Sequence, residues 1–227
     1  MLDKFLNAKK ISPVFALIKT KKRLNLKNKE IKVFGNKHLY ILYGDWKEIN
    51  IIFNLYENII IDKQIINFSH NQLFPLLNYL ETSARIEPGA IIRSGVTIKD
   101  KAIVLMGAVI NIGAVIGEES MIDMNAVIGS GAIIGKKVHV GAASVVAGIL
   151  EPYSDKPVII EDNVMIGAGA VILEGVHIKK NAVIGAGSIV LHDVEENAVY
   201  AGNPAKFIKY RDLKTDDKTI ILDLLRK

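Results

Sequence analysis

The sequence predicts a mainly β protein: a parallel β-helix of hexapeptide repeats, with a small α/β domain before it and a helix after it. Three observations carry this expectation. From Ile86 an aliphatic residue returns every sixth position, a small or β-branched side chain follows four places later, and glycine recurs at a fixed place in the hexad. An α-helix needs a period near 3.6 and a sheet strand a period of 2, so a strict six fits neither.

Residues 1–84 are expected to form the α/β domain. Leu2 to Lys10 suits a pair of helical turns, Ile31 to Tyr43 alternates like a hairpin (KVFG, then HLYILYG), and Glu48 to Glu57 and Leu73 to Glu81 suit helices.

Residues 85–204 are expected to form the β-helix. Eleven aliphatics follow in register from Ile86 to Val146, among them Ile110, Ile122, Ile128 and Val140, with Ala90, Val96, Ala102 and their successors at the fourth place. Three hexads make one 18-residue triangular coil whose inward aliphatics stack into ladders. Gly89, Gly95, Gly107, Gly113, Gly131, Gly169, Gly175 and Gly187 stand at the corner that demands a permissive φ. After Val146 the register jumps by 14 and resumes from Ile160 to Val190, for seventeen hexads and a little under six coils. A sandwich of short strands would need polar loops every 8–12 residues, and these are missing.

The jump leaves eight residues, 152–159, that cannot sit inside the coil; with two prolines and Tyr153-Ser154-Asp155-Lys156 they are expected to be extruded as a loop. Residues 205–227 form the tail. Asp212 to Lys227 reads as a helix with Thr215 as N-cap, an apolar stripe of Ile220, Ile221, Leu224 and Leu225, and Arg226 and Lys227 at the negative end of its dipole.

Composition narrows the function classes. The chain has 227 residues and no cysteine, which excludes disulfide scaffolds, Cys-ligated zinc, iron–sulfur clusters and thiol nucleophiles. No run approaches the roughly 18 apolar residues of a membrane span, and MLDKFLNAKK lacks the apolar stretch of a secretory signal, so no membrane partner and a cytoplasmic location are expected. The net charge of +5 resides at one end: residues 1–80 hold 13 Lys/Arg against 6 Asp/Glu. Lys19, Lys21, Lys22 and Arg23 are not interleaved with the aromatics that stack on bases, so a solvated face is expected rather than a nucleic-acid site.

The repeat followed by Ala201-Gly202-Asn203-Pro204-Ala205-Lys206 resembles the left-handed β-helix acyltransferases, which take acyl groups from coenzyme A. More specifically, RIEPGAIIR (85–93), INIGAVIGEESMIDMNAVIG (110–129) and AGILEPYSDKPVIIEDNVMIGAGAVILEGV (147–176), with the α/β front and short C-terminal helix, resemble the tetrahydrodipicolinate N-acetyltransferases of lysine and diaminopimelate biosynthesis. The resemblance implies attack by the amine of 2-amino-6-oxopimelate on the thioester of acetyl-CoA, giving N-acetyl-2-amino-6-oxopimelate. An N-succinyltransferase on the same dicarboxylate, or a non-catalytic β-helix scaffold, are the alternatives. The succinyl family carries a larger N-terminal helical region that this chain lacks.

Such chemistry wants a general base and oxyanion donors. Asp123, directly after the ladder residue Ile122, and Glu174, at a corner, fall in the family's specific motifs; His139, one coil above Asp123, is the rival base. Asp123 and Glu174 stand about 2.4 coils apart, ~11 Å along the axis, too far for a hydrogen-bonded dyad but able to touch opposite ends of a pimelate-length substrate. Asn111 and Asn125 are candidate substrate ligands. Arg85 and Arg93 at the first coils, and Lys206 and Lys209 after the last, are candidate cations for the dicarboxylate or the phosphates. The resemblance implies a coenzyme A groove lined by Gly148, Ala168, Gly185 and Ala186. A metal is not expected: zinc, as in the related γ-type carbonic anhydrases, needs three converging imidazoles, and His139, His177 and His192 fall on no common edge. Outward Val109, Val115, Val127 and Ile133 would be buried by packing three columns into a homotrimer.

Overall fold

The structure is a computed structural model, and it describes residues 7–26 and 29–221. The described residues form two compact units, one up to residue 74 and one from residue 75.

In the first unit, strands β1 (Pro13–Thr20), β2 (Lys32–Asn36), β3 (Leu39–Asp45) and β4 (Ile60–Asn67) form one antiparallel sheet in the order β2-β3-β1-β4. Helix α1 (Trp46–Leu55) starts at Asp45, whose carboxylate accepts from the Lys47 amide. Its buried Ile49, Ile52 and Phe53 pack on Val14, Ala16, Ile18, Tyr40 and Leu42 of the sheet. The expected hairpin and the helix near Glu48 to Glu57 are thus present. Leu73 to Glu81 is not a helix: Pro75 interrupts it, Leu76 bridges to Arg93, and the Leu77 amide donates to the Ile92 carbonyl. Strands β1 and β4 escaped the sequence reading. Leu2 to Lys10 lies largely outside the described residues.

The second unit is the expected parallel β-helix. Its two-residue strands fall on three faces. Face A carries the strands at Arg85, Ile103, Met121, His139, Met165 and Val183; face B those at Ile91, Val109, Val127, Val145, Val171 and Ile189; face C those at Thr97, Val115, Ile133, Ile159 and His177. Met121 pairs with His139, 18 residues on, whereas His139 pairs with Met165, 26 residues on, because the extruded segment intervenes. The second residue of nearly every strand points inward, and Ile110, Ile122, Ile128 and Ile166 are fully buried, each contributing about 1.5–3 kcal/mol. The fourth-place residues Ala102, Ala126, Ser144 and Ala170 are equally buried in the corners.

The corner position with positive φ is shared by the expected glycines and by Lys101, Glu119, Asn125, Lys137, Asn163 and Asn181. The edge joining face C to face A alternates in charge from coil to coil. There Lys136 lies 2.6 Å from Glu118, Lys137 3.3 Å from Glu119, and Lys179 2.9 Å from Glu195. The hydrogen bond to Glu118 holds the Lys136 ammonium above its ordinary pKa, and Glu195 does the same for Lys179.

The C-terminal helix is shorter than expected. Helix α2 spans Leu213–Lys218, and its N-cap is Asp212 rather than Thr215. The Asp212 carboxylate accepts from both the amide and the hydroxyl of Thr215 and pairs with Lys209 at 2.6 Å. Those bonds cap the Thr215 amide in the first turn, and with Lys209 foremost they hold the Asp212 carboxyl well below the usual carboxylate range. Of the expected apolar stripe, Ile220 is exposed and follows the helix; Leu224, Leu225, Arg226 and Lys227 lie outside the described residues.

Candidate active site

The coil geometry sorts the candidate residues onto two edges. On the edge between faces A and B, Asp123 leaves the chain just after the inward Ile122, so its side chain cannot enter the core. Its Oδ1 accepts from the Met124 amide at 2.7 Å, and its Oδ2 faces the Nε2 of His139 at 3.9 Å. That distance is an ion-pair contact when the imidazole is protonated and too long for a direct hydrogen bond. Side-chain exposure is 24% for His139 and 19% for Asp123, so water screens the pair only in part. His139 is the outward residue of its strand, in register between Met121 below and Met165 above. The two rival bases of the sequence reading are therefore neighbours. The legible signal was their separation of 16, two short of a coil, and the same spacing sets His177 Nε2 2.7 Å from Glu161 on face C.

Above Asp123 the edge loses its side chains. Gly141, Gly167 and Gly185 occupy the corresponding place in successive coils, and a Cβ on Gly141 or Gly167 would collide with the backbone of the coil above. Beside them Ala168 and Ala186 are exposed, and the strip continues to Gly202 and the turn into exposed Lys206, which pairs with Ala201. Asn125 lies at the foot of this edge at positive φ, with its Oδ1 where a Cβ on Gly107 would have to go. Its amide side chain thus covers the coil below.

Arg93, Asn111, Gly148 and Glu174 lie on the next edge, between faces B and C. Asn111 Oδ1 accepts from the Ile112 amide at 2.8 Å, and Gly148 packs against Ser130. The insertion leaves the coil at this edge and turns back on itself through a Leu150–Tyr153 bridge, with Tyr153 donating to Asp155 at 2.7 Å. The expected loop of 152–159 is shifted towards the N-terminus, because Val158 is buried in the coil core and Ile159 pairs with Ile133. Glu174 is the exposed corner residue one coil above, next to Gly175, whose missing Cβ would lie 3.6 Å from the Lys156 side chain. Gly148 is thus separated by face B from Ala168, Gly185 and Ala186, and Asp123 and Glu174 stand on different edges. Of the remaining cations, Arg85 pairs with Glu87 at 3.5 Å and Lys209 with Asp212.

Coils of this repeat are those of the hexapeptide-repeat transferases. Residues 113–148 match the family described as bacterial transferase hexapeptide (six repeats), and residues 157–192 the hexapeptide repeat of succinyl-transferase. Residues 3–79 match the tetrahydrodipicolinate succinyltransferase N-terminal family. The chain is 54% identical to a 2,3,4,5-tetrahydropyridine-2,6-dicarboxylate N-acetyltransferase from Clostridium perfringens over 96% of this chain and 92% of that one. It is 48% identical to the protein of that name from Halalkalibacterium halodurans, over 97% and 92% of the two chains. The chain belongs to the 2,3,4,5-tetrahydropyridine-2,6-dicarboxylate N-acetyltransferase family. Among solved structures it is similar to a histidine-to-asparagine variant of perosamine N-acetyltransferase from Caulobacter crescentus in complex with CoA and GDP-perosamine, with 27% identity and a TM-score of 0.51 over 56% of this chain and 57% of that one.

Proposed function

We propose that the chain transfers the acetyl group of acetyl-CoA to the amine of ring-opened tetrahydrodipicolinate, in the diaminopimelate route to lysine. Family membership over almost the whole chain supports the acetyl reading over the succinyl one. The observation that carries the mechanism is the Asp123–His139 pair at the foot of a strip of glycine and alanine.

The amine nitrogen attacks the thioester carbon, the C–S bond breaks, and the thiolate leaves. The amine must lose a proton in that step, and the His139 imidazole is placed to take it. Asp123, 3.9 Å away, stabilises the imidazolium that forms, and the proton then passes to the departing sulfur. Exposed backbone beside Ala168, Gly185 and Ala186 offers donors and acceptors to an extended amide chain, and Lys206 at the far end offers a cation to its phosphates.

Three columns packed through the outward aliphatics of face B, such as Val127 and Val145, would bring the edge of one subunit that holds Asp123 toward the edge of the next that holds Arg93, Asn111, Glu174 and the extruded loop. The dicarboxylate then spans the two, with the loop as one wall. No helix among the described residues is long and apolar enough to cross a membrane, and the reading places the enzyme in the cytoplasm with its substrates.

Release of free thiol from acetyl-CoA, measured with and without the dicarboxylate amine, tests the function. Acceptor-dependent release is expected; succinyl-CoA preferred as donor, or no release with either, overturns it. A sedimentation mass near that of one chain at micromolar concentration would overturn the trimer.

A further inference from the structure

The N-terminal sheet has one face covered over its two central strands by α1, with Val33 and Ile65 of the edge strands left exposed, and one face covered by nothing among the described residues. Alternation along the strands places Leu17 of β1, Phe34 of β2, Leu39 and Ile41 of β3, and Ile66 of β4 on that bare face, with Phe68 just beyond β4. Their exposures run from 38% for Leu17 to 67% for Phe68. Phe15 joins them, stacked on Tyr43 with centroids 4.5 Å apart and edge-on to Phe68 at 5.8 Å. A water-facing sheet surface is ordinarily polar, whereas seven of the twelve positions on this face, Phe15, Leu17, Phe34, Leu39, Ile41, Tyr43 and Ile66, are apolar or aromatic.

We infer that this face docks against the same face of a second copy of the chain. The register gives the patch its shape. One row across the sheet runs Lys32, Tyr43, Phe15, Ile66; the next Phe34, Ile41, Leu17, Gln64; the third Asn36, Leu39, Lys19, Asp62. Four strands at ~4.8 Å and a rise of ~3.4 Å per residue make this a square of roughly 14 Å on each side. Its apolar centre is flanked by Lys32 at one corner and, at the diagonally opposite corner, by Asp62, which has Lys19 beside it on the neighbouring strand. A two-fold axis along the other diagonal, lying between two such squares, sets Lys32 of each copy against Asp62 of its partner. It also crosses the strands near 90°, one of the two regular ways in which sheets pack. The exposed apolar surface is on the order of 500–600 Å² per copy. Two copies therefore bury roughly 1,000–1,200 Å², which reaches the threshold for a specific interface. Nothing in this pairing depends on how the β-helices associate.

The test uses the full chain, with mass followed by sedimentation across concentration. Phe34→Lys, at an exposed position of the sheet edge, should leave the circular dichroism unchanged and lower the mass to that of the assembly the β-helix forms by itself. Lys32→Asp and Asp62→Lys should each raise the dissociation midpoint several-fold, since each change acts twice across a two-fold axis, and the double variant should restore it. Wild-type mass in Phe34→Lys overturns the inference. So does a loss of thermal stability with unchanged mass, which would mean that the chain covers this face itself, or flotation of the wild type with anionic vesicles without any change of mass.

Discussion

Replacing His139 or Asp123 by asparagine removes a titrating group while nearly keeping its size, so the coil should be undisturbed: both side chains point outward from strands whose inward neighbours, Ile122 and Val140, hold the core. The magnitude follows from the geometry. Two unit charges 3.9 Å apart interact by about 4 kcal/mol at the effective dielectric of a protein surface and about 1 kcal/mol in water. With about a fifth of each side chain exposed, the imidazolium formed during proton transfer gains between those limits from Asp123. Asp123→Asn should therefore lower kcat/KM by roughly 5- to 10³-fold. His139→Asn removes the acceptor itself and should cost roughly 10²–10⁴-fold. Because the carboxylate acts through the imidazole, the double variant should fall no further than His139→Asn. The assay is thiol release under limiting acceptor, with circular dichroism as the folding control. Losses that multiply in the double variant would show two groups acting independently. A large loss in Asp123→Asn with His139→Asn near wild type would make Asp123 the base. Full activity in both would place the chemistry elsewhere.

Further outcomes follow from other parts of the molecule. Deleting residues 150–157, which keeps the buried Val158 and the strand residue Ile159, restores the hexad register and should leave the fold intact yet sharply reduce turnover, because the loop is proposed as a wall of the site; unchanged turnover would make it a plain insertion. Ile128→Ala, at a fully buried ladder position, should lower stability by about 2–5 kcal/mol in denaturant titration, since rigid coils above and below cannot close the cavity. Asp212→Ala should speed amide exchange at Thr215 and leave the exchange of the ladder amides unchanged. Because the Asp212 carboxyl is depressed in the folded chain, its contribution to α2 is complete above the ordinary carboxylate range and is lost only as pH falls well below it.

The β-helix was legible because its constraint is local and repeated. Each coil must place an aliphatic inward at the same point, a small residue in the corner, and a residue tolerant of positive φ beside it, so the period, the three faces and the site of the insertion are all written in spacing. The resemblance carried by MIDMNA and LEGV singled out Asp123 and Glu174, but that they stand on different edges came from the coil geometry. The N-terminal unit was read less well. In β1 and β4 the alternation is blurred by apolar residues on both faces, and Leu73 to Glu81 has helical composition but an interrupting Pro75 and backbone partners in the first coil. Only the tertiary structure decided which of the candidates meet. His139 and Asp123 are brought to 3.9 Å by the pitch of the coil, Gly148 and Ala168 are separated by the width of a face, and Asp212 displaces Thr215 as the cap because its carboxylate reaches the Thr215 amide. A sequence states the order of residues along each coil. Contact between side chains depends on how successive coils are offset, and that offset is set by backbone hydrogen bonds that any residue can make.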